Sequence, residues 1–259
     1  MERRKFIKNT AATSGLLTLG GLSLNSCNVA TKKHITILHT NDVHSHVDAF
    51  PNDHADFPGL GGLARRAGLV DSIRKENPNT FLFDAGDIFQ GTPYFNFYGG
   101  ELEFKLMSML NYDATTIGNH DFDNGIDGLL AQMPYAKFNF ISANYDFSNT
   151  VLDGLTQPYK VYEKDGIKVG VYGLGIKLDG LVTKQLYKET VFLDPYELAL
   201  DMETKLKEEE KCDLVICLSH LGYEYKSQKP DDLKLAKKTK YTDLILSLIH
   251  ISEPTRRTP

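Results

Sequence analysis

Short apolar segments of the kind that form β-strands alternate along this chain with longer segments that have helical periodicity. The strand-like segments span residues 35–38, 80–83, 114–117, 138–142, 160–163, 167–172 and 212–218, and the helix-like segments span 62–76, 101–110 and 126–133. Asp165-Gly166 predicts a hairpin between two of the strands. Asp194, followed by Pro195, predicts the start of a further helix. Such alternation predicts an α/β sandwich with mixed, mostly parallel sheets.

Residues 1–27 have the pattern of an export signal. Arg3 and Arg4 form a twin-arginine pair in a basic segment, and residues 11–24 are apolar but too short and too polar for a membrane span. Residues 24–27 then resemble a bacterial lipobox, in which Cys27 would be lipidated. We therefore expect an exported protein on the periplasmic side of the cell envelope, anchored to the membrane only through Cys27, with residues 28–33 as a linker. The alternative is a plain N-terminal helix with an incidental cysteine.

The charge of the chain argues against one class of partner. The formal net charge is −5, and because residues 1–27 contribute +3, the remainder carries −8. A body this acidic lacks the broad basic surface that binds a nucleic-acid polymer. A small phosphorylated ligand held by metal ions remains compatible with it.

Side chains of the types that bind metals follow four of the predicted strands. They are Asp42 and His44, then Asp87, then Asn119, His120 and Asp121, and finally His220. Ligands collect at the carboxyl ends of strands in open α/β sheets, and these oxygen and nitrogen donors suit Mn, Zn, Fe or Mg. Each motif alone is more often a cap, a turn or a core histidine. Four of them in this order indicate a metal centre.

The local geometry of two motifs supports the same interpretation. Asp42 and His44 are two residues apart, so in an extended segment both side chains would point to the same side. Gly118 permits a tight turn that brings Asn119 and its neighbour into one pocket.

Together, these motifs resemble the metallophosphoesterase signature. Residues 35–45 and 112–123 are similar to the two signatures of the 5'-nucleotidase family, and the resemblance runs from about residue 33 to about residue 245. Asp121 stands where that subfamily usually has glutamate. The resemblance implies an αββα sandwich over residues 34–245.

The resemblance also implies a dinuclear centre of two divalent metal ions, which could be Mn, Zn, Fe or Mg. Asp42 and His44 would bind one ion, Asp87 would bridge both, and Asn119 and His220 would bind the second.

The same resemblance implies a role for the remaining polar pair. His120 would lie beside the ions without binding them, oriented by Asp121, and would stabilise the transition state or protonate the leaving group. The substrate would be a small phosphate ester, a nucleotide in the first instance. Nucleotide diphosphate sugars, cyclic nucleotides and sulfur esters remain alternatives within the same fold.

The end of the chain departs from the family pattern. After a final strand predicted at residues 241–245, the family has a Gly-His-x-His loop that completes both metal sites, but residues 246–259 contain no glycine and a single histidine, His250. We expect this tail not to be native, and we expect a nucleotide-binding C-terminal domain to be lost or separately encoded. Two hypotheses follow: an exported phosphoesterase, or a non-catalytic envelope lipoprotein that keeps the fold. Metal-dependent phosphatase activity would separate them.

Overall fold

The computed structural model describes residues 32–247, and the compact unit of the chain begins at His34. The predicted signal with Cys27, residues 28–31 of the linker and residues 248–259 of the tail lie outside the described residues.

The first half of the described chain forms an all-parallel sheet covered by helices. Its strands, in the order β1-β2-β3-β4, are Thr36–Thr40, Thr80–Asp84, Ala114–Thr115 and Asn139–Phe140. The connecting helices are α1 at Leu63–Glu76, α2 at Pro93–Tyr98, α3 at Glu101–Met109 and α4 at Gly125–Gln132, with 3₁₀ turns at His120–Phe122 and Met133–Tyr135. Because the strands are parallel, their carboxyl ends meet at one edge of the sheet.

The second half contains a mixed sheet. A small antiparallel pair comes first, with β5 at Tyr145–Asp146 and β8 at Val191–Phe192. The main sheet contains β6 at Tyr159–Lys164, β7 at Ile167–Leu174, β9 at Leu214–Ser219 and β10 at Leu244–Leu246, in the order β10-β9-β7-β6. Its helices are α5 at Lys184–Tyr187, α6 at Pro195–Thr204, which continues as a π-helical turn at Lys205–Glu209, and α7 at Asp232–Lys238. Only the β6–β7 hairpin of this sheet is antiparallel.

The apolar side chains show how these layers stack. Phe81 and Phe83 of β2 pack with Val171 of β7 and Ile216 of β9, which places the two sheets face to face. Leu82, between the two phenylalanines, packs on the opposite face with the helices, because successive side chains of a strand alternate between faces. A third cluster covers the outer face of the second sheet with side chains of α6 and α7. The layer order is therefore αββα.

The predicted fold class is confirmed, with differences at the shorter elements. Asp194 caps α6 as predicted, since its carboxylate accepts hydrogen bonds from the amides of Tyr196 and Glu197. No sequence pattern predicted α2, α5, α7, β5 or β8. The last strand ends at Leu246 rather than at residue 245.

Candidate metal centre

Three of the predicted ligands converge where the strands of the two sheets end. Asp42 follows β1, Asp87 follows β2, and His220 follows β9. One ligand atom from each lies within 4.8 Å of the others, and His220 Nε2 is 3.2 Å from Asp87 Oδ2. Both Asp87 and His220 are buried. Two carboxylates and an imidazole at this separation form a donor set suited to a divalent cation.

His44 lies at the edge of the same cluster. Its Nε2 atom is 3.7 Å from Asp42 Oδ1 and 3.8 Å from Asp87 Oδ2. Its Nδ1 atom faces the carbonyl of Phe89 at 3.1 Å, and His220 Nδ1 faces the carbonyl of Ala85 at 2.6 Å. A carbonyl at Nδ1 fixes the tautomer of each ring and leaves Nε2 free to bind a metal.

The backbone around Asp42 and His44 is not extended, so the predicted reason for their meeting was wrong. Asp42, His44 and Asp87 have φ angles of 46°, 43° and 59°, in the left-handed region that non-glycine residues seldom occupy. The chain turns at these residues and is held by backbone hydrogen bonds from Asp42 N to Gly86 O and from His44 N to Asp87 O, at 3.0 and 3.1 Å. Such strain is typical of functional sites, where surrounding structure overcomes its cost.

Two buried polar atoms near the cluster make no hydrogen bond within the described part of the chain. They are Asn119 Oδ1 and His220 Nε2, of which the second faces the Asp87 carboxylate at 3.2 Å without a hydrogen bond. Asn119 is next to His120, whose amide donates to Asp87 Oδ1 at 2.8 Å, so the asparagine lies beside the carboxylate cluster. A buried polar atom without a partner is costly, and a bound cation would satisfy both atoms. The residues present therefore fit a metal ion.

Two glycines allow this close approach of loops. A Cβ on Gly118 would lie 2.2 Å from Asp87 Oδ1, and one on Gly86 would lie 2.6 Å from the amide nitrogen of Gly118. Gly86 also has a φ of 91°. Any side chain at either position would push the loops after β2 and β3 apart.

His120 is oriented by Asp123 and not by Asp121. His120 Nδ1 lies 3.0 Å from Asp123 Oδ2, and the His120 ring meets the His44 ring edge-on with centroids 5.2 Å apart. The hydrogen bond to Asp123 raises the pKa of His120, followed in effect by the charge of Asp87, against the opposing effect of burial. Asp123 was missed from the sequence. Its signal was its position three residues after His120, on the same helical turn.

Asp121 was predicted to orient His120, but its carboxylate contacts backbone amides instead. Its carboxylate accepts hydrogen bonds from the amides of Asp87, Ile88, Phe89 and Gly118, at distances of 2.8 to 3.2 Å. It is buried, and burial raises the pKa of its carboxyl to about 6. Asp121 thus fixes the loop that carries Asp87, rather than the imidazole of its neighbour.

The histidines and carboxylates of the cluster shift one another's proton affinity. Burial disfavours charge on Asp87, but His220, His120 and His44 outweigh it and lower the pKa of Asp87. Burial likewise acts against charge on His220, yet Asp87 prevails and raises the pKa of His220 to about 10. The cluster therefore holds a proton on His220 that a metal ion would have to displace.

A second buried carboxylate, that of Glu103, supports the loop after β1. Ser45, directly after His44, donates to Glu103 of α3, and its hydroxyl is 2.8 Å from that of Thr92. Ser45 and Glu103 are both buried. No sequence pattern pointed to this contact, because it joins residues 58 positions apart.

Comparisons with known proteins place the chain among phosphoesterases. A profile of the calcineurin-like phosphoesterase family matches residues 35–247. The 5'-nucleotidase of Vibrio parahaemolyticus is 32% identical over 256 residues, which cover 94% of this chain and 44% of that protein. The crystal structure of a 5'-nucleotidase precursor from Thermus thermophilus matches with a TM-score of 0.67 at 38% identity, covering 73% of this chain and 37% of the other. The structure of the NAD nucleotidase of Haemophilus influenzae matches with a TM-score of 0.69 at 29% identity, covering 82% of this chain and 37% of the other. The chain thus spans less than half the length of these three relatives.

Proposed function

This chain belongs to the calcineurin-like phosphoesterase family, and we propose that it is a metal-dependent hydrolase of nucleotide phosphate esters. The observation that carries the proposal is the convergence of Asp42, Asp87 and His220, whose ligand atoms lie within 4.8 Å of one another. A binding or structural module would have no need of such a donor set at the end of two sheets, with His120 and its carboxylate partner beside it.

The proposed centre holds two divalent ions, of Mn, Zn, Fe or Mg. Asp42 and His44 would hold one, Asn119 and His220 the other, and Asp87 both. When bound, such a pair of ions supplies a hydroxide nucleophile at neutral pH and offsets charge on the phosphate oxygens. The orphaned atoms Asn119 Oδ1 and His220 Nε2 support this assignment.

His120 would act on the leaving group. Asp123 accepts the hydrogen bond from Nδ1, so in the protonated ring the second proton lies on Nε2, where it can be donated to the leaving oxygen. The raised pKa of His120 keeps more of the ring protonated near neutral pH, as a general acid requires. The ring is partly exposed, with a side-chain accessibility of 38%, which leaves room for a substrate.

The substrate class rests on the relatives, two of which are named 5'-nucleotidases and one a NAD nucleotidase. A nucleotide also agrees with the acidic body of the chain, which disfavours a nucleic-acid polymer. We propose further that a C-terminal nucleotide-binding domain works with this one, because this chain spans less than half the length of these relatives.

Export belongs to the same proposal. Residues 1–27 have the order of a twin-arginine lipoprotein signal, so Cys27 would carry a lipid on the periplasmic side of the envelope. Within residues 32–247, no helix combines the length and the apolar character needed to cross a membrane. The mass of the mature N-terminus, measured after expression in a bacterium with the twin-arginine pathway, tests this proposal.

The activity is tested with the full chain by measuring phosphate release from adenosine monophosphate with each of the four metals. We expect activity that EDTA abolishes and that Asp87→Asn lowers at least about 100-fold, because the variant loses a charged ligand. Asp127→Asn is the matched control, since Asp127 is exposed and pairs with Lys188 at the surface. A folded wild-type chain that binds metal yet releases no phosphate would refute the proposal.

A further inference from the structure

The loop after β1 holds His44 in an unfavourable backbone conformation. His44 and Ser45 have φ angles of 43° and 56°, a region that is disfavoured for residues other than glycine. Contacts from outside the loop must therefore maintain it. Two of them are backbone hydrogen bonds, from His44 N to Asp87 O at 3.1 Å and from Ser45 N to Ile88 O at 2.9 Å. The position of His44 thus depends on its neighbour Ser45 as well as on its own contacts.

The side chain of Ser45 joins this loop to helix α3. Its hydroxyl donates to Glu103 Oε1 and lies 2.8 Å from the hydroxyl of Thr92. The Thr92 hydroxyl donates in turn to the carbonyl oxygen of Ser45 at 2.9 Å. Ser45 and Glu103 are both buried, so water does not compete for their hydrogen bond. A hydrogen bond to a carboxylate is about twice as strong as one between neutral groups, which makes Glu103 the main anchor of the Ser45 side chain.

The loop has little room to change position without moving the His44 ring. A Cβ on Gly91 would lie 2.7 Å from the carbonyl oxygen of His44 and 2.9 Å from His44 Cβ, so the two segments are in close contact. The His44 ring is fixed from the same side, because its Nδ1 atom faces the carbonyl of Phe89 at 3.1 Å. Metal sites tolerate deviations in ligand distance of only about 0.2 Å. A small shift at Ser45 is therefore enough to weaken a metal site that includes His44.

Glu103 has no other polar contact that would explain its burial. Within residues 32–247, Ser45 is its one hydrogen-bond partner, and the second oxygen, Oε2, has none. The side chain lines a mostly apolar cavity of about 20 Å³ with Val43, Leu106 and Met107, which holds at most about one water molecule. Burying a carboxylate with so few partners costs stability. Its benefit must therefore come from what it does to the loop.

We propose that Glu103 is a positioning residue for the metal site that contains His44, and that it acts through Ser45. Its carboxylate holds the loop in the left-handed conformation that turns His44 Nε2 toward the carboxylate cluster. The other proposed site, with Asn119 and His220, depends on the loops after β3 and β9 and does not share this support. The consequence for metal binding rests on the proposed function, whereas the effect on the loop does not.

The effect on the loop is tested by amide hydrogen exchange, followed by NMR on the full chain with EDTA. Glu103→Leu removes the acceptor, and Glu103→Gln keeps an acceptor with nearly the same shape. We expect Glu103→Leu to lower the protection of the His44 and Ser45 amides at least about tenfold, as loss of a hydrogen bond to a charged group does. Glu103→Gln should restore most of it. The amides of β7 report global unfolding and should keep their wild-type protection in both variants.

The effect on the metal site is tested by calorimetric titration of the full chain with Mn²⁺. Glu103→Leu should weaken one site about 10- to 100-fold, the usual effect of changing a residue that orients a ligand, and leave the other unchanged. In a chain that already carries His44→Ala, the same substitution should cause no further loss, because the ligand that Glu103 positions is gone. General destabilisation would instead weaken binding in both backgrounds.

Glu101→Gln is the matched control, since Glu101 lies on the same helix and pairs with Lys105 at the surface. It should match the wild type in both measurements. Wild-type protection of the loop in Glu103→Leu, or an equal loss in the loop and in β7, would overturn the inference. If the loop loses protection while the wild-type chain binds no Mn²⁺, the positioning of the loop by Glu103 stands and the proposed hydrolase fails. If protection is unchanged while the wild type binds Mn²⁺ and releases phosphate, the hydrolase stands and this inference fails.

Discussion

His120 and Asp123 lie on one turn, and their contact of 3.0 Å makes a prediction about the pH dependence of the reaction. Asp123→Asn removes the charge that raises the pKa of His120, so the ring loses its proton at lower pH. We expect kcat to fall at least about tenfold, within the range that general acid catalysis contributes. We also expect the alkaline limb of the kcat/KM profile to move to lower pH. Both are measured by phosphate release from adenosine monophosphate between pH 5 and 10.

Asp127→Asn, in α4 on the next turn, should change neither quantity, because Asp127 pairs with Lys188 at the surface. Asp121→Asn should behave differently again. Its carboxylate accepts four backbone amides, so the variant should melt at lower temperature. A fall in kcat for Asp123→Asn without any shift of the alkaline limb would contradict the proposed positioning of His120.

The same residues show how far a sequence predicts a site. Asp42, Asp87 and His220 could be placed together because each follows a strand, and parallel strands end at one edge. The partner of His120 could not be chosen, since Asp121 and Asp123 are both close in sequence and only the direction of the turn decides between them. Glu103 gave no signal at all, because its contact with Ser45 depends on the packing of α3 against the loop after β1.

Glu203, in the last turn of α6, fixes the chain segment that leads into β10. Its carboxylate accepts hydrogen bonds from the amides of Lys240, Tyr241 and Thr242 at 2.8 to 3.1 Å, and from the Thr242 hydroxyl at 2.9 Å. Glu203 is 2% exposed. Glu203→Gln replaces one acceptor oxygen with a donor that faces backbone N–H groups. We expect it to lower the free energy of unfolding by about 3 kcal/mol, since buried hydrogen bonds to charged groups contribute about 1.5–3 kcal/mol each.

Urea unfolding followed by circular dichroism measures this loss. The matched control is Glu209→Gln in the same helical run, where Glu209 makes an exposed pair with Lys205 and should contribute less than about 1 kcal/mol. Similar stabilities for the two variants would show that the segment before β10 is held by other contacts.

At the scale of elements, the long regular segments were predictable and the short ones were not. The helix predicted at residues 101–110 is found at Glu101–Met109, and the hairpin around Asp165-Gly166 forms as predicted. In contrast, α2, at Pro93–Tyr98, contains aromatic residues at most of its positions and no clear period. An isolated helix this short is unstable in water. It forms here because Phe95 packs into the core beside Phe89, and that contact cannot be read from local sequence.

The stability of the whole molecule depends on several buried ionisable groups that act in the same direction. Burial raises the pKa of Asp84 to about 7 and the pKa values of Asp121 and Asp232 to about 6. Between about pH 4 and these values the unfolded chain releases protons that the folded protein keeps, so stability falls as pH rises. The pKa of His220 is raised from 6.5 to about 10. Its protonated ring therefore contributes its full stabilisation below about pH 6.5, and that contribution is lost as the pH rises toward about 10. In the presence of a chelator, the protein should therefore become less stable from mildly acidic to alkaline pH.

A substitution of Asp84 isolates the part of this pH dependence that lies between about pH 4 and pH 7. Its carboxyl accepts hydrogen bonds from Gly86 N at 2.9 Å and the Thr115 hydroxyl at 3.1 Å on one oxygen, and from the Thr40 hydroxyl at 2.6 Å on the other. Asp84→Asn keeps the first oxygen as an acceptor, and its amide can donate to Thr40, whose hydroxyl can turn toward Tyr112. The variant should therefore fold, and it removes the proton that titrates at this position.

We expect the fall in the free energy of unfolding between pH 4 and pH 7 to shrink in Asp84→Asn by about 4 kcal/mol at most, which is the linkage value of a pKa raised from 3.8 to about 7. Urea unfolding with EDTA at a series of pH values measures it. Asp71→Asn, at an exposed position in α1 that pairs with Lys75, should leave the slope as it is in the wild type. If Asp84→Asn has the wild-type slope, then Asp84 is ionised in the folded protein at neutral pH. The hydrogen bonds from Thr40, Gly86 and Thr115 would then outweigh the cost of burying its charge.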